Sequence, residues 1–175
     1  MKLWLLDADI IIDLLSMGVF DSLVKNHEIH VVSAVIGEVK YFWRSGKKIS
    51  ADFRKNYVDQ NLIKEVNATM DDVKVLLQKL PPIWRSTIHS GEIESIAVLI
   101  KHPDLIFCTC DAATIKTLPI IDLSDRGISV EAMLRQSGLG NPKKLLERHT
   151  EKHFRDNLNK GKEEKIYYVL KDGHT

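Results

Sequence analysis

Five acidic residues stand where a folded chain can put them to chemical use. Asp7 directly follows the apolar run 3–6 (LWLL), and Asp111 directly follows a second one, 105–110 (LIFCTC). Glu38 lies among bulky apolar neighbours, Val35, Val39, Tyr41, Phe42 and Trp43. Glu92 and Glu94 open a segment that continues as IAVLI. Carboxylates brought together repel one another, and either shared protons or a bound divalent cation relieves the repulsion. Oxygen-only ligands suit Mg²⁺ or Mn²⁺, whereas zinc favours His or Cys. A site of that kind hydrolyses phosphodiesters without a nucleophilic side chain, because the ion activates a water and neutralises the phosphate.

Each acid also has a structural role open to it. Asp after a strand caps the next helix, and Glu in a first turn complements the helix dipole. Glu38 fits neither role, since an unpaired carboxylate among apolar groups costs several kcal/mol.

Positioning these residues requires a particular arrangement of elements. Short continuous apolar runs at 3–6, 29–32 and 105–110 read as strands buried on both faces. Between them, 7–18, 19–26, 34–44, 70–80 and 91–101 read as helices, with Ser33 as the cap of 34–44 and Gly46 as its end. Within 47–68, NLIKEV reads as a strand, and 119–122 (PIID) as another. The segment 129–138 (SVEAMLRQSG) reads as a last short helix. Strand–helix alternation predicts a single three-layer α/β domain with a short, mostly parallel central sheet flanked by helices. Parallel strands share a direction, so Asp7 and Asp111 emerge at one carboxyl edge, where ligands bind in such folds.

Composition narrows the class. The 175 residues are 44% hydrophobic and 28% charged, which excludes disordered, collagenous and coiled-coil chains. A net charge of +1 leaves no global basic field, so binding to nucleic acid falls to local patches. Two cysteines, Cys108 and Cys110, exclude a disulfide scaffold and suit a reducing compartment. The N-terminal apolar run is cut by Asp7, Asp9 and Asp13, which argues against a signal peptide, and no run reaches the length of a membrane span. The chain reads as cytoplasmic.

The ordered set LLDADIIIDLL, SAVIGEV, SGEIESIAVLI and FCTCDAATIK resembles the PIN-domain family over about residues 1–138. The GExE block and the ISVEAMLRQSG ending are similar to a PIN subgroup of uncharacterised function. The resemblance implies a small α/β ribonuclease dependent on Mg²⁺ or Mn²⁺. Its catalytic acids would be Asp7, Glu38, Glu94 and Asp111, and its metal ligands Asp7, Glu38, one or both of Glu92 and Glu94, and Asp111. It further implies a homodimer and, for toxin-type members, inhibition by an antitoxin protein. Three departures stand out. The third acid is Glu where many members have Asp. Position 9 is Asp where the family often has a small hydroxyl or amide residue. Residues 139–175 have no counterpart in a minimal domain.

Other residues are candidates for substrate contact. Lys40, Arg44, Lys47, Lys48, Arg54 and Lys55 form a basic cluster beside Glu38, and Tyr41, Trp43 and Tyr57 offer stacking surfaces for RNA. Asp9 and Thr109 are further candidates, Thr109 by orienting a water. His89 precedes the GExE helix. The cysteines alternate along a strand and read as buried apolar groups. The tail 141–165 carries a local charge of +3 and reads as a polar helix with His149 and His153 as a possible metal pair. Residues 166–170 (IYYVL) read as an extra strand or docking segment. Asp7-Ala8-Asp9 also resembles the DxD of haloacid-dehalogenase-type phosphatases, with Asp7 as nucleophile. A non-catalytic PIN-like binding module is a third reading.

Overall fold

A computed structural model describes residues 3–140 and 145–172. The expected polar helix therefore lies outside the described residues at 141–144, as do Met1 and Lys2 of the N-terminal run.

In chain order the elements are β1 (Leu3–Leu6), α1 (Ala8–Met17), α2 (Phe20–Asn26), β2 (Glu28–Val32), α3 (Ser33–Glu38), β3 (Tyr41–Arg44) and β4 (Lys47–Ser50). A π turn (Arg54–Val58) leads to β5 (Lys64–Val66), α4 (Met70–Lys79), α5 (Pro82–Arg85), α6 (Ser90–Lys101) and β6 (Ile106–Cys108). The chain continues with α7 (Ala112–Ile120), β7 (Gly127–Ile128), α8 (Val130–Gln136) and α9 (Glu151–Asp172). The sheet order is β5-β2-β1-β6-β7, and each neighbouring pair runs parallel. Helices flank this sheet, as the alternation of elements predicts. Trp4, Leu5 and Leu6 of the central strand are fully buried, as are Ile29, Val31 and Phe107 beside it. Strands covered on both faces need apolar side chains at successive positions. Each fully buried side chain of this size contributes about 1.5–3 kcal/mol.

Several local expectations are corrected. The helix expected over 34–44 ends at Glu38, and β3 and β4 form an antiparallel hairpin outside the main sheet. Ser45 and Gly46 take φ of 51° and 75°, the two left-handed positions of a tight hairpin turn. The aromatic run Tyr41-Phe42-Trp43 favours the strand. Ser33 is the first residue of α3 rather than its cap, and its hydroxyl lies 2.5 Å from Glu65 Oε1. Residues 119–122 are not a strand. Helix α7 runs through Pro119 to Ile120, and the strand in this region is β7. Residues 166–170 lie within α9.

Within 145–168 the tail packs on the rest of the domain through Leu145, Phe154, Leu158 and Tyr168. Phe154 is buried in the core, and α9 lies along α7. A Cβ at Gly161 would stand 2.3 Å from the Lys116 carbonyl oxygen and 2.8 Å from Lys116 Cα, so only glycine permits this approach. Among the described residues no helix is long and apolar enough to cross a membrane.

Candidate functional site

Asp7 is the first residue past β1, and its N–H donates to the Cys108 carbonyl at 3.3 Å, extending the β1–β6 ladder by one rung. The site is therefore anchored to the two central strands. Asp7 caps α1: its Oδ1 accepts from the Ala8 N–H at 2.7 Å. Its Oδ2 accepts from Thr109 Oγ1 at 3.0 Å. Thr109, fully buried, also accepts from the Asp111 N–H at 3.2 Å. Asp111 caps α7 through Thr114 N–H at 2.7 Å. The capping role that the sequence leaves open for both aspartates is thus real, and it coexists with their exposure to one cleft.

That cleft has a volume of about 460 Å³ and is bounded by five carboxylates: Asp7, Asp9, Glu38, Glu92 and Asp111. His89 also lines it, and no Lys or Arg does. A smaller cavity of about 270 Å³, beside α5, α7 and α9, holds one acid, Glu164, with Lys116 3.8 Å away, and has none of this imbalance.

The two glutamates of the GExE block part company. Glu92 is 8% exposed, lines the cleft and accepts from the His89 N–H at 2.7 Å as the third residue of α6. Glu94 does not line the cleft. Its Oε2 accepts from the Ala34 N–H at 3.2 Å, which serves an otherwise unpaired donor in the first turn of α3. Between the two helices, a Cβ on Gly91 would stand 3.2 Å from Glu38 Oε1. The small residue lets Glu38, exposed at the end of α3, lie against the start of α6.

Burial in this acidic setting holds protons. Asp7 is pushed up to about 7, chiefly by burial; the Ala8 N–H offsets this in part, and the Glu92 charge adds to it. Glu92 is also raised, first by burial, against the His89 N–H and with the charge of Asp111. At neutral pH the cleft thus carries a carboxyl able to take up or release a proton, the property of a general acid or base.

The donor set suits a hard divalent cation in kind, being carboxylate oxygen throughout. Its spacing is wider than a ligand shell: among the described residues no three Asp, Glu, His or Cys side chains are grouped so as to hold one ion.

The other candidates lie elsewhere. Lys40 lines a shallow groove with Val39, Phe53 and Arg54 rather than the cleft. Arg44 donates to the Leu15 carbonyl at 2.9 Å and lies over the Phe42 ring. Arg54 forms a two-pronged pair with Glu65. Tyr57 is not a free stacking surface: it packs on Phe20 and Phe53, and its hydroxyl donates to Asp21 Oδ1 at 2.7 Å. Both cysteines are free and buried, and burial pushes the Cys110 thiol up to about 12.

His149 and His153 do not pair. His149 lies in the turn before α9, its Nδ1 accepting from the Leu146 N–H and its Nε2 2.7 Å from Asp13 Oδ2. His153 faces the Cys110 carbonyl at 3.2 Å. The same turn supplies a residue that sequence reasoning missed. Arg148 pairs with Asp13 at 2.5 Å and reaches Asp9 Oδ2 at 3.5 Å, placing a guanidinium beside the cleft. These partners are 135 and 139 residues away along the chain, and no local pattern announces them.

Comparison of the chain with protein-family models, with curated proteins and with solved structures gives no match.

Proposed function

We propose that this chain is a ribonuclease that hydrolyses RNA phosphodiesters at the acidic cleft with the help of Mg²⁺ or Mn²⁺. The charge of the cleft carries this reading: five carboxylates from four parts of the chain line one opening that no Lys or Arg lines. The opening lies at the carboxyl edge of a parallel sheet, where α/β folds bind ligands. The ordered acidic blocks that resemble PIN domains support the same chemistry. The antitoxin and the homodimer rest on that resemblance alone.

Asp7, Glu38, Glu92 and Asp111 are the residues that would hold the ion. The ion would supply an activated water and neutralise the phosphate. Binding requires the side chains to draw together, and Glu38 is exposed enough to move. Thr109 holds the Asp7 carboxyl in place, and Asp7 exchanges its proton near neutral pH.

The test is incubation of a labelled mixed RNA pool with the protein in Mn²⁺, Mg²⁺ or EDTA, beside Asp7→Asn protein prepared identically. Metal-dependent cleavage that the variant lacks is the expected result. Equal cleavage by both proteins sinks the proposal. The spread of the carboxylates favours a second reading, a non-catalytic module that binds RNA or protein. RNA or protein binding without cleavage in any metal would select it.

A further inference from the structure

The hairpin β3–β4 replaces an expected helix and leaves two aromatic rings partly exposed. Its register pairs Tyr41 with Ser50 and Trp43 with Lys48 across one face. Phe42 and Ile49 pair on the other, and Phe42 is buried. One face thus anchors the hairpin, while Tyr41 and Trp43 stand 43% and 53% exposed. Lys48 Nζ lies 3.6 Å from the centre of the Tyr41 ring. The main-chain N–H of Trp43 donates to Ser16 Oγ at 3.1 Å, which ties the strand to α1, while the indole stays half exposed beside a groove that it lines with Met17 and Leu146. Of the three tryptophans, Trp4 and Trp84 are buried, and Trp43 alone is open to a ligand.

The charge of this segment matches one kind of occupant. Residues 39–51 contain Lys40, Arg44, Lys47 and Lys48 and no acid, a short chain distance from the acidic cleft. Exposed rings interleaved with lysines combine base stacking with phosphate neutralisation. In a duplex the bases are already stacked on one another and do not present their faces to a protein ring. We propose that the hairpin Tyr41–Ser50 is the docking platform for single-stranded RNA, with bases stacked on Tyr41 and Trp43 and a phosphate met by Lys48 on the same face. The choice of RNA rests on the ribonuclease reading of the cleft.

The experiment is anisotropy titration of a dye-labelled 12-nucleotide single-stranded RNA with the full chain in EDTA, where binding is read without cleavage and without relying on Trp43 as the reporter. The parent protein should bind, with a rise in the anisotropy of the labelled RNA. Trp43→Ala and Tyr41→Ala should each weaken binding roughly 5- to 100-fold, the loss expected for one stacked base. Trp43→Phe should keep most of the affinity. Lys48→Ala should lower the salt slope of log K by about 0.7. A duplex of the same sequence should bind more weakly. Both aromatic variants are at exposed positions, and unchanged far-ultraviolet dichroism checks their fold. Unchanged affinity in both alanine variants, no binding by the parent, or equal affinity for the duplex would overturn the proposal. Cleavage that persists beside normal binding by the variants defeats the platform and spares the cleft. Stacking-dependent binding in a protein that never cleaves does the reverse.

Discussion

Thr109 Oγ1 donates to Asp7 Oδ2 at 3.0 Å across the two central strands of the sheet. The same oxygen accepts from the Asp111 N–H, so one hydroxyl joins the two aspartates that follow β1 and β6. Thr109 is fully buried, while both aspartates also border the cleft.

Replacing Thr109 by Val keeps the shape and removes both bonds. The half-buried Asp111 N–H and the buried Asp7 Oδ2 each lose a partner, at a cost of about 1–3 kcal/mol. Urea unfolding should show the midpoint falling with an unchanged slope. An unchanged midpoint would mean the bridge contributes nothing to the fold.

The proton on Asp7 gives stability a distinct pH dependence. Its folded value, about 7, lies above its ordinary 3.8. Between these values the folded state binds more protons than the unfolded state, so this group's contribution falls as pH rises from about 4 to about 7 and is flat above. Glu92, also raised, acts in the same direction. Asp7→Asn removes the effect of Asp7. The variant should gain on the parent across that window, by up to about 4 kcal/mol at one shift unit per 1.36 kcal/mol. Thermal melts at pH 5 and pH 8 measure it, and a gap that does not widen at pH 8 would contradict the assignment.

The seat of α9 on α7 depends on Gly161. A larger residue meets the Lys116 backbone, which cannot swing away as a side chain can. Gly161→Leu should cost about 1–3 kcal/mol or more. It should also loosen the tail that carries Arg148 and His149 to Asp13. Limited proteolysis should then cut within 145–172 before the rest of the chain. Protection equal to the parent would show that the helices pack without that approach.

The strands β1, β2 and β6 were legible because a strand covered on both faces must be apolar at successive positions, a pattern carried by three to five neighbouring residues. The helices α4 and α6 were legible from their spacing and stops. The gathering of Asp7 and Asp111 followed from parallel strands alone. The β3–β4 hairpin was not, since Ser45-Gly46 ends a helix or turns a hairpin equally well until Phe42 finds a core to bury in. Nor was the division between Glu92 and Glu94. Two residues along α6 turn a side chain by more than half a circle, from the cleft to the α3 backbone, and only the packing of α6 decides which faces which.

By itself, then, the sequence determined the fold class, the central strands and the carboxyl edge at which the acids collect, because those depend on local apolar pattern and on the shared direction of parallel strands. Tertiary structure alone decided that Thr109 joins Asp7 to Asp111, that Glu92 rather than Glu94 faces the cleft, and that Arg148 reaches Asp9 and Asp13. Those contacts join residues distant along the chain or depend on how one helix sits on another, and nothing in the neighbouring residues records where the closed core will bring them.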